Sequence, residues 1–139
     1  MTLPMNPNVL TDNSGNSLSQ ILLEIINSVS DPIFVKNRQH EWIFVNNAFC
    51  QLMGYAPEEL TGKSEYDFFN TEEANIFREK NELIFTSELS SDSEGYFTDT
   101  EGRVHVIKTK KSLFNDDSGN QFLINTIKEI KASENKQQD

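Results

Sequence analysis

Few residues in this 139-residue chain are of types that do chemistry, and their spacing decides which chemistry is open. His40, His105 and Cys50 are the candidate bases and nucleophile, yet nothing in the sequence sets either histidine beside Cys50, a serine nucleophile and an orienting acid. Cys50 follows Phe49 in a helical pattern and reads as a small buried apolar group. There is no Cys-x-x-Cys, no His-Glu-x-x-His and no phosphate loop, so the chain does not read as an enzyme or a metal protein. Polar side chains on otherwise apolar faces say more. Asn81, His105, Thr109 and Asn125 fit that description, and burying such groups without a partner costs about 1–3 kcal/mol each. They read a ligand, satisfy one another, or hold a buried water. Phe49, Met53, Phe69, Phe77, Ile84 and Ile107 project toward the same space, where they line a cavity or simply fill the core.

The elements that must position these residues are legible from the middle of the chain outward. Asp31-Pro32 opens a strand, Ile33 to Val35; the polar run Lys36 to Glu41 reads as a turn, and Trp42 to Val45 as the returning strand. Asn46-Asn47 then caps a helix whose Phe49, Leu52 and Met53 share one face, and Gly54 closes it. Pro57 sits where a first helical turn tolerates it, with Glu58 and Glu59 near the positive end of the dipole. Upstream, Ser17 with Gln20 forms a capping box ahead of Leu18, Ile21, Leu22, Ile25, Ile26 and Val29, an amphipathic helix over 17–30. Asn70 with Glu73 repeats the device for a helix over about 71–86. Ser87 to Glu94 reads as a mobile loop, and strands follow near 95–98, 103–113 and 121–130. Residues 1–16 and 132–139 are polar and read as a disordered tail and as the start of a connector or tail.

Charge and composition narrow the partners. Ten phenylalanines supply a core for a single domain without disulfides. The net charge of −10 is concentrated in residues 58–101, which hold 13 acidic and 3 basic side chains. Such a surface repels phosphate backbones and anionic lipid, which argues against nucleic acid and membrane partners. No apolar run approaches the ~18 residues of a membrane span and no signal peptide is visible, so a cytoplasmic domain without direct membrane insertion is the expectation.

Several segments resemble the PAS family: Asp31-Pro32-Ile33, Val45 to Phe49, Leu52 to Tyr55 and Pro57 to Gly62 in the first half, then Thr98 to Val104 and Asn115 to Asn120 as its hairpin turns. Their order and spacing carry the likeness over residues 31–131. The resemblance implies an α+β fold with a five-stranded antiparallel sheet in the order 2-1-5-4-3 and helices on one face. It also implies that Arg103, His105, Ile107, Thr109 and Lys111 face the helices while Val104 and Val106, with Ile124 of the last strand, lie on the outer face. Such an apolar patch wants covering, either by the helix carrying Leu18, Ile21, Leu22 and Ile25 or by that of a second copy.

The family's cofactors are tested by position, and no cofactor is assigned. Flavin-cysteinyl members carry a cysteine shortly after the glycine matching Gly62, where this chain has Lys63-Ser64-Glu65-Tyr66. Haem-binding members place a histidine on the long helix, which here has none; His105 is the remaining ligand candidate. A chromophore-tethering cysteine would fall near Asn70 and Thr71. The family's Asp-Ile-Thr junction to a helical connector is matched by Glu129-Ile130-Lys131. The resemblance therefore implies a sensory module of a signalling protein such as a sensor histidine kinase, acting on an output domain of the same parent protein. It binds a small ligand, passes on a conformational change, or both; the alternative is a ligand-free module that relays through a homodimer.

Overall fold

The computed structural model describes residues 18–132. In chain order these form α1 (Leu18–Asn27), β1 (Ile33–Lys36), β2 (Trp42–Val45), α2 (Asn47–Met53), α3 (Pro57–Leu60), a 3₁₀ turn (Glu65–Asp67), α4 (Thr71–Ser87), β3 (Ser91–Thr98), β4 (Val104–Asn115) and β5 (Gln121–Ala132). The five strands pair antiparallel in the order β2-β1-β5-β4-β3, the order the resemblance implies. Both the Ser17 cap and the expected tail over 1–16 lie outside the described residues, as does the chain after Ala132. No helix among the described residues is long and apolar enough to cross a membrane.

Two segments differ from the sequence reading, each for the same physical reason. Lys36 is not the first residue of a turn but the last of β1, and it is fully buried. Strand alternation from Phe34 turns it inward, where Glu65 receives its charge. Ser91 to Glu94 belong to β3 rather than to a mobile loop. As an edge strand β3 is solvated along one side, and its register sets Asp92 opposite Lys110 and Glu94 opposite Lys108 on β4. In both segments the polarity that resembles a loop stands opposite a complementary charge in the folded chain.

The sheet's inner face packs on α2, α3 and α4 through Phe34, Ile107, Leu123 and Ile127 against Phe49, Met53, Leu60, Ile84 and Phe85. Asn70 caps α4 by accepting from the Glu73 amide at 2.8 Å, but the Glu73 carboxylate does not close the box. It accepts instead from Thr98 Oγ1 at 2.8 Å and so fastens α4 to β3. Arg38 forks onto Glu82 at 2.9 and 2.7 Å, tying the β1–β2 turn to the middle of the same helix. The β4–β5 ladder runs in unbroken register from Asn115↔Gln121 to Ile107↔Glu129, then slips: Val106 faces Lys131, and Ile130 is the extra residue of a β-bulge.

Asn46 joins the first three elements. Its Oδ1 accepts from Phe49 N and from Ile33 N, each at 2.9 Å, and its Nδ2 donates to the carbonyls of Ile26, Asp31 and Val29. The residue is fully buried, so its own carboxamide has no water as an alternative to these bonds. Substituting Asn46→Ala is expected to cost about 2–4 kcal/mol of unfolding free energy in urea titration. Asn46→Asp, which keeps the cap but loses the donors, is expected to recover only part of it.

Candidate functional site

A cavity of about 30 Å³ lies between α2, α4 and the sheet. Its wall is mostly apolar: Phe34, Trp42, Phe49, Met53, Phe69, Phe77, Phe97, Ile107 and Ile127. Four polar side chains complete it, Glu65, Asn81, Lys111 and Asn125. Of the residues singled out in the sequence, Phe49, Met53, Phe69, Phe77, Asn81, Ile107 and Asn125 therefore meet at one place. Ile84 is buried in the core without reaching the cavity wall. Thr109 is also off it, its hydroxyl 3.0 Å from Ser93 Oγ across the β3–β4 pair.

Sequence reasoning passed over the charged part of the wall. Lys36 and Glu65 form a buried ion pair at 2.6 Å, and Lys36 also donates to the carbonyl of His40. The Lys36 ammonium lies 4.8 Å from the centre of the Trp42 ring. Burial lowers the Lys36 pKa, against the opposing pull of Glu65. Lys111 is 2% exposed, and burial pushes its pKa down to about 8, with Glu65 opposing and Lys80 and Lys36 adding to the fall. The parity of β4 had placed Lys111 on the helix-facing side with Ile107, which was the available signal; Glu65, in a capped turn, had none. In the orientation that satisfies both ends of its carboxamide, Asn125 donates to the Lys110 carbonyl at 3.2 Å and accepts from Lys111 Nζ at 3.3 Å. Asn81 Oδ1 and Trp42 Nε1 are buried with no hydrogen-bond partner.

His105 sits apart from the cavity. Its ring stacks on Phe97 with centroids 4.7 Å apart; Nε2 is 2.8 Å from Asp99 Oδ2 and Nδ1 meets Glu129 Oε2. Both ring nitrogens are thus engaged, and the residue clamps the β3–β4 turn to the end of β5. Burial alone would lower its pKa, but the bonds to Asp99 and Glu129 prevail and raise it. Asp99 is held well below the usual carboxylate range: burial opposes this, and the bonds from His105 and from the Arg103 and Glu101 amides outweigh it.

The PAS-fold family profile matches residues 26–135. The chain belongs to the PAS family. An uncharacterized protein of Sinorhizobium fredii is 31% identical over 88 residues, covering 63% of this chain and 11% of that protein. A diguanylate cyclase of Vibrio cholerae is 30% identical over 81 residues, covering 58% and 24%. The chain thus spans a quarter or less of these curated relatives. Among solved structures, the PAS domain of a two-component sensor histidine kinase superposes with a TM-score of 0.65 at 16% identity, over 80% of this chain and 95% of that one. As a PAS domain the chain is a sensory and signalling module rather than a catalytic one. Among the described residues no group of three His, Cys, Asp or Glu side chains could hold a metal ion.

Two outcomes follow from the buried charges. Glu65→Gln leaves the Lys36 ammonium buried without its carboxylate and is expected to cost about 3–5 kcal/mol in urea unfolding, whereas the double change Lys36→Met with Glu65→Leu costs far less. The folded state holds the His105 proton more tightly than the unfolded chain does. The stability this adds is full below about pH 6.5, the ordinary imidazole value, and is lost as pH rises through the higher folded value. Thermal midpoints measured across that range should fall for the native sequence and stay flatter for His105→Gln.

Proposed function

We propose that this PAS domain senses a small molecule in the cavity beside α4 and passes the change through the sheet to an output segment beyond β5. The observation that carries the reading is a largely apolar, aromatic cavity with the 1%-exposed Asn81 on its wall, whose carboxamide oxygen has no partner. A cavity of about 30 Å³ is far smaller than the ~300 Å³ of common ligand sites. Occupancy therefore requires displacing the half-buried Phe69 and Phe77, which pack on each other with ring centres 5.7 Å apart. That displacement gives a ligand the means to favour one packing of α4 on the sheet over another. The parent protein on this reading is a cytoplasmic signalling protein, with a sensor histidine kinase and a diguanylate cyclase as the contexts its relatives suggest. The acidic stretch 58–101 argues against this domain itself holding nucleic acid or a membrane surface.

The second reading, a ligand-free dimerisation and relay module, is favoured by the apolar surface left uncovered. Ile25 of α1 is 57% exposed, and Val104 and Phe114 on the outer face of β4 are 36% and 54% exposed. Leu18, Ile21, Leu22, Val106 and Ile124 are half-buried and continue those surfaces. A homodimer joined through them would bury this area.

Native mass spectrometry separates the readings, because one spectrum reports both retained small molecules and subunit number. A bound mass lost on denaturation, and absent from the folded Asn125→Leu variant, is expected on the sensor reading. A dimer without added mass, turned into a folded monomer by Ile21→Asp with Ile25→Asp, would replace it with the relay reading.

A further inference from the structure

The cavity wall carries one buried ammonium, Lys111, and one buried carboxylate, Glu65, and that carboxylate is already engaged by Lys36, which is buried off the wall. Lys36 and Glu65 compensate each other at 2.6 Å. Lys111 has the Asn125 carboxamide oxygen at 3.3 Å and, among the described residues, no carboxylate within ion-pair distance. Facing it are Glu65 from the turn before α4, Lys36 from β1 and Lys80 from α4; Lys80 is itself directed to the Glu94 carbonyl at 2.6 Å. A pKa of about 8 leaves most of Lys111 protonated at neutral pH, so the interior carries one positive charge in excess. A charge kept in a water-poor aromatic site without a counter-ion is costly, and the cost is relieved by an anion that brings its charge in. On the same wall Asn81 and the Trp42 indole offer polar atoms that lack protein partners.

We infer that the cavity takes a small organic monocarboxylate, its carboxylate against Lys111 and the Trp42 indole N–H, and its apolar body among Phe69, Phe77 and Ile107. One surplus positive charge matches a monoanion. A phosphate dianion would bring a second negative charge, whereas Lys36 is already paired with Glu65 and Lys80 is turned to the Glu94 carbonyl. The rest of the wall is hydrocarbon, which suits an organic acid over an inorganic ion. The inference rests on the interior ligand site proposed above and assigns the chemical class that site recognises.

Trp42 is the chain's single tryptophan and lines the cavity, so its emission reports occupancy without labelling. The whole chain is titrated with propionate, isobutyrate and benzoate, and with the corresponding amides, at pH 6.5 and pH 9.5. At least one acid is expected to bind more than tenfold tighter than its amide at pH 6.5. That preference should collapse by about tenfold at pH 9.5, where Lys111 is neutral. It should also collapse in Lys111→Met, whose fold is checked by circular dichroism; if that variant does not fold, the pH comparison on the native sequence decides. Amides that bind as tightly as acids, or an acid preference indifferent to pH, would overturn the anion assignment and leave the sensor reading standing. Silence from both series, with no retained mass in the native spectrum, would overturn both.

Discussion

Asn46 spends the two ends of a single carboxamide on five backbone groups drawn from three elements. The end of α1, the start of β1 and the first turn of α2 all leave amide or carbonyl groups that secondary structure cannot satisfy. They converge on one buried point, and only a side chain with a donor and an acceptor on the same planar group can serve them together. Aspartate would offer oxygens alone and serine a single hydroxyl. With that point fixed, the β1–β2 hairpin becomes a floor and α2 leaves it at a set angle. Phe49 and Met53 then come to rest on the cavity wall rather than in solvent.

The buried charges act at a longer range. Lys36 and Glu65 bind β1 to the turn that launches α4, although the two residues are 29 apart in the chain. Such a pair adds little net stability over a hydrophobic replacement, yet it tolerates no loss of one member. It fixes which way α4 enters the fold, and α4 brings Asn81, Phe77 and the helix side of the cavity. Lys111 reaches the same interior from β4. Two strands and a turn thus deliver charge to one place by separate routes.

What the sequence disclosed depended on how near each residue's partner lies along the chain. The Asn46 cap, the left-handed Gly54 and Pro57 at a helix start are settled within four residues, and all three are where local chemistry puts them. Asn81 and Asn125 stood out because a polar group on an apolar face is anomalous whatever its partner. Lys36 failed this test by standing next to a turn, so its polarity looked ordinary; its partner comes 29 residues later, beyond β2, α2 and α3. Ser91 to Glu94 looked like a loop because the lysines that pair with them come 14 to 20 residues later. The His105 clamp drew its carboxylates from a turn and from the last strand, a meeting that only the closed sheet arranges.

The bulge at Ile130 divides β5 unequally. On one side an unbroken ladder carries Asn125 and Glu129, four residues or roughly 13 Å apart on the same face, as a stiff shaft. On the other side lies a short end piece whose Ala132 pairs with His105. A bulge near the tip bends the strand and raises its local twist, and so forms a coupling between the two parts. The His105–Glu129 contact spans that coupling, since Glu129 precedes the bulge and His105 grips the strand beyond it. The break in the β4–β5 ladder is therefore bridged by one imidazole, held between the Asp99 and Glu129 carboxylates.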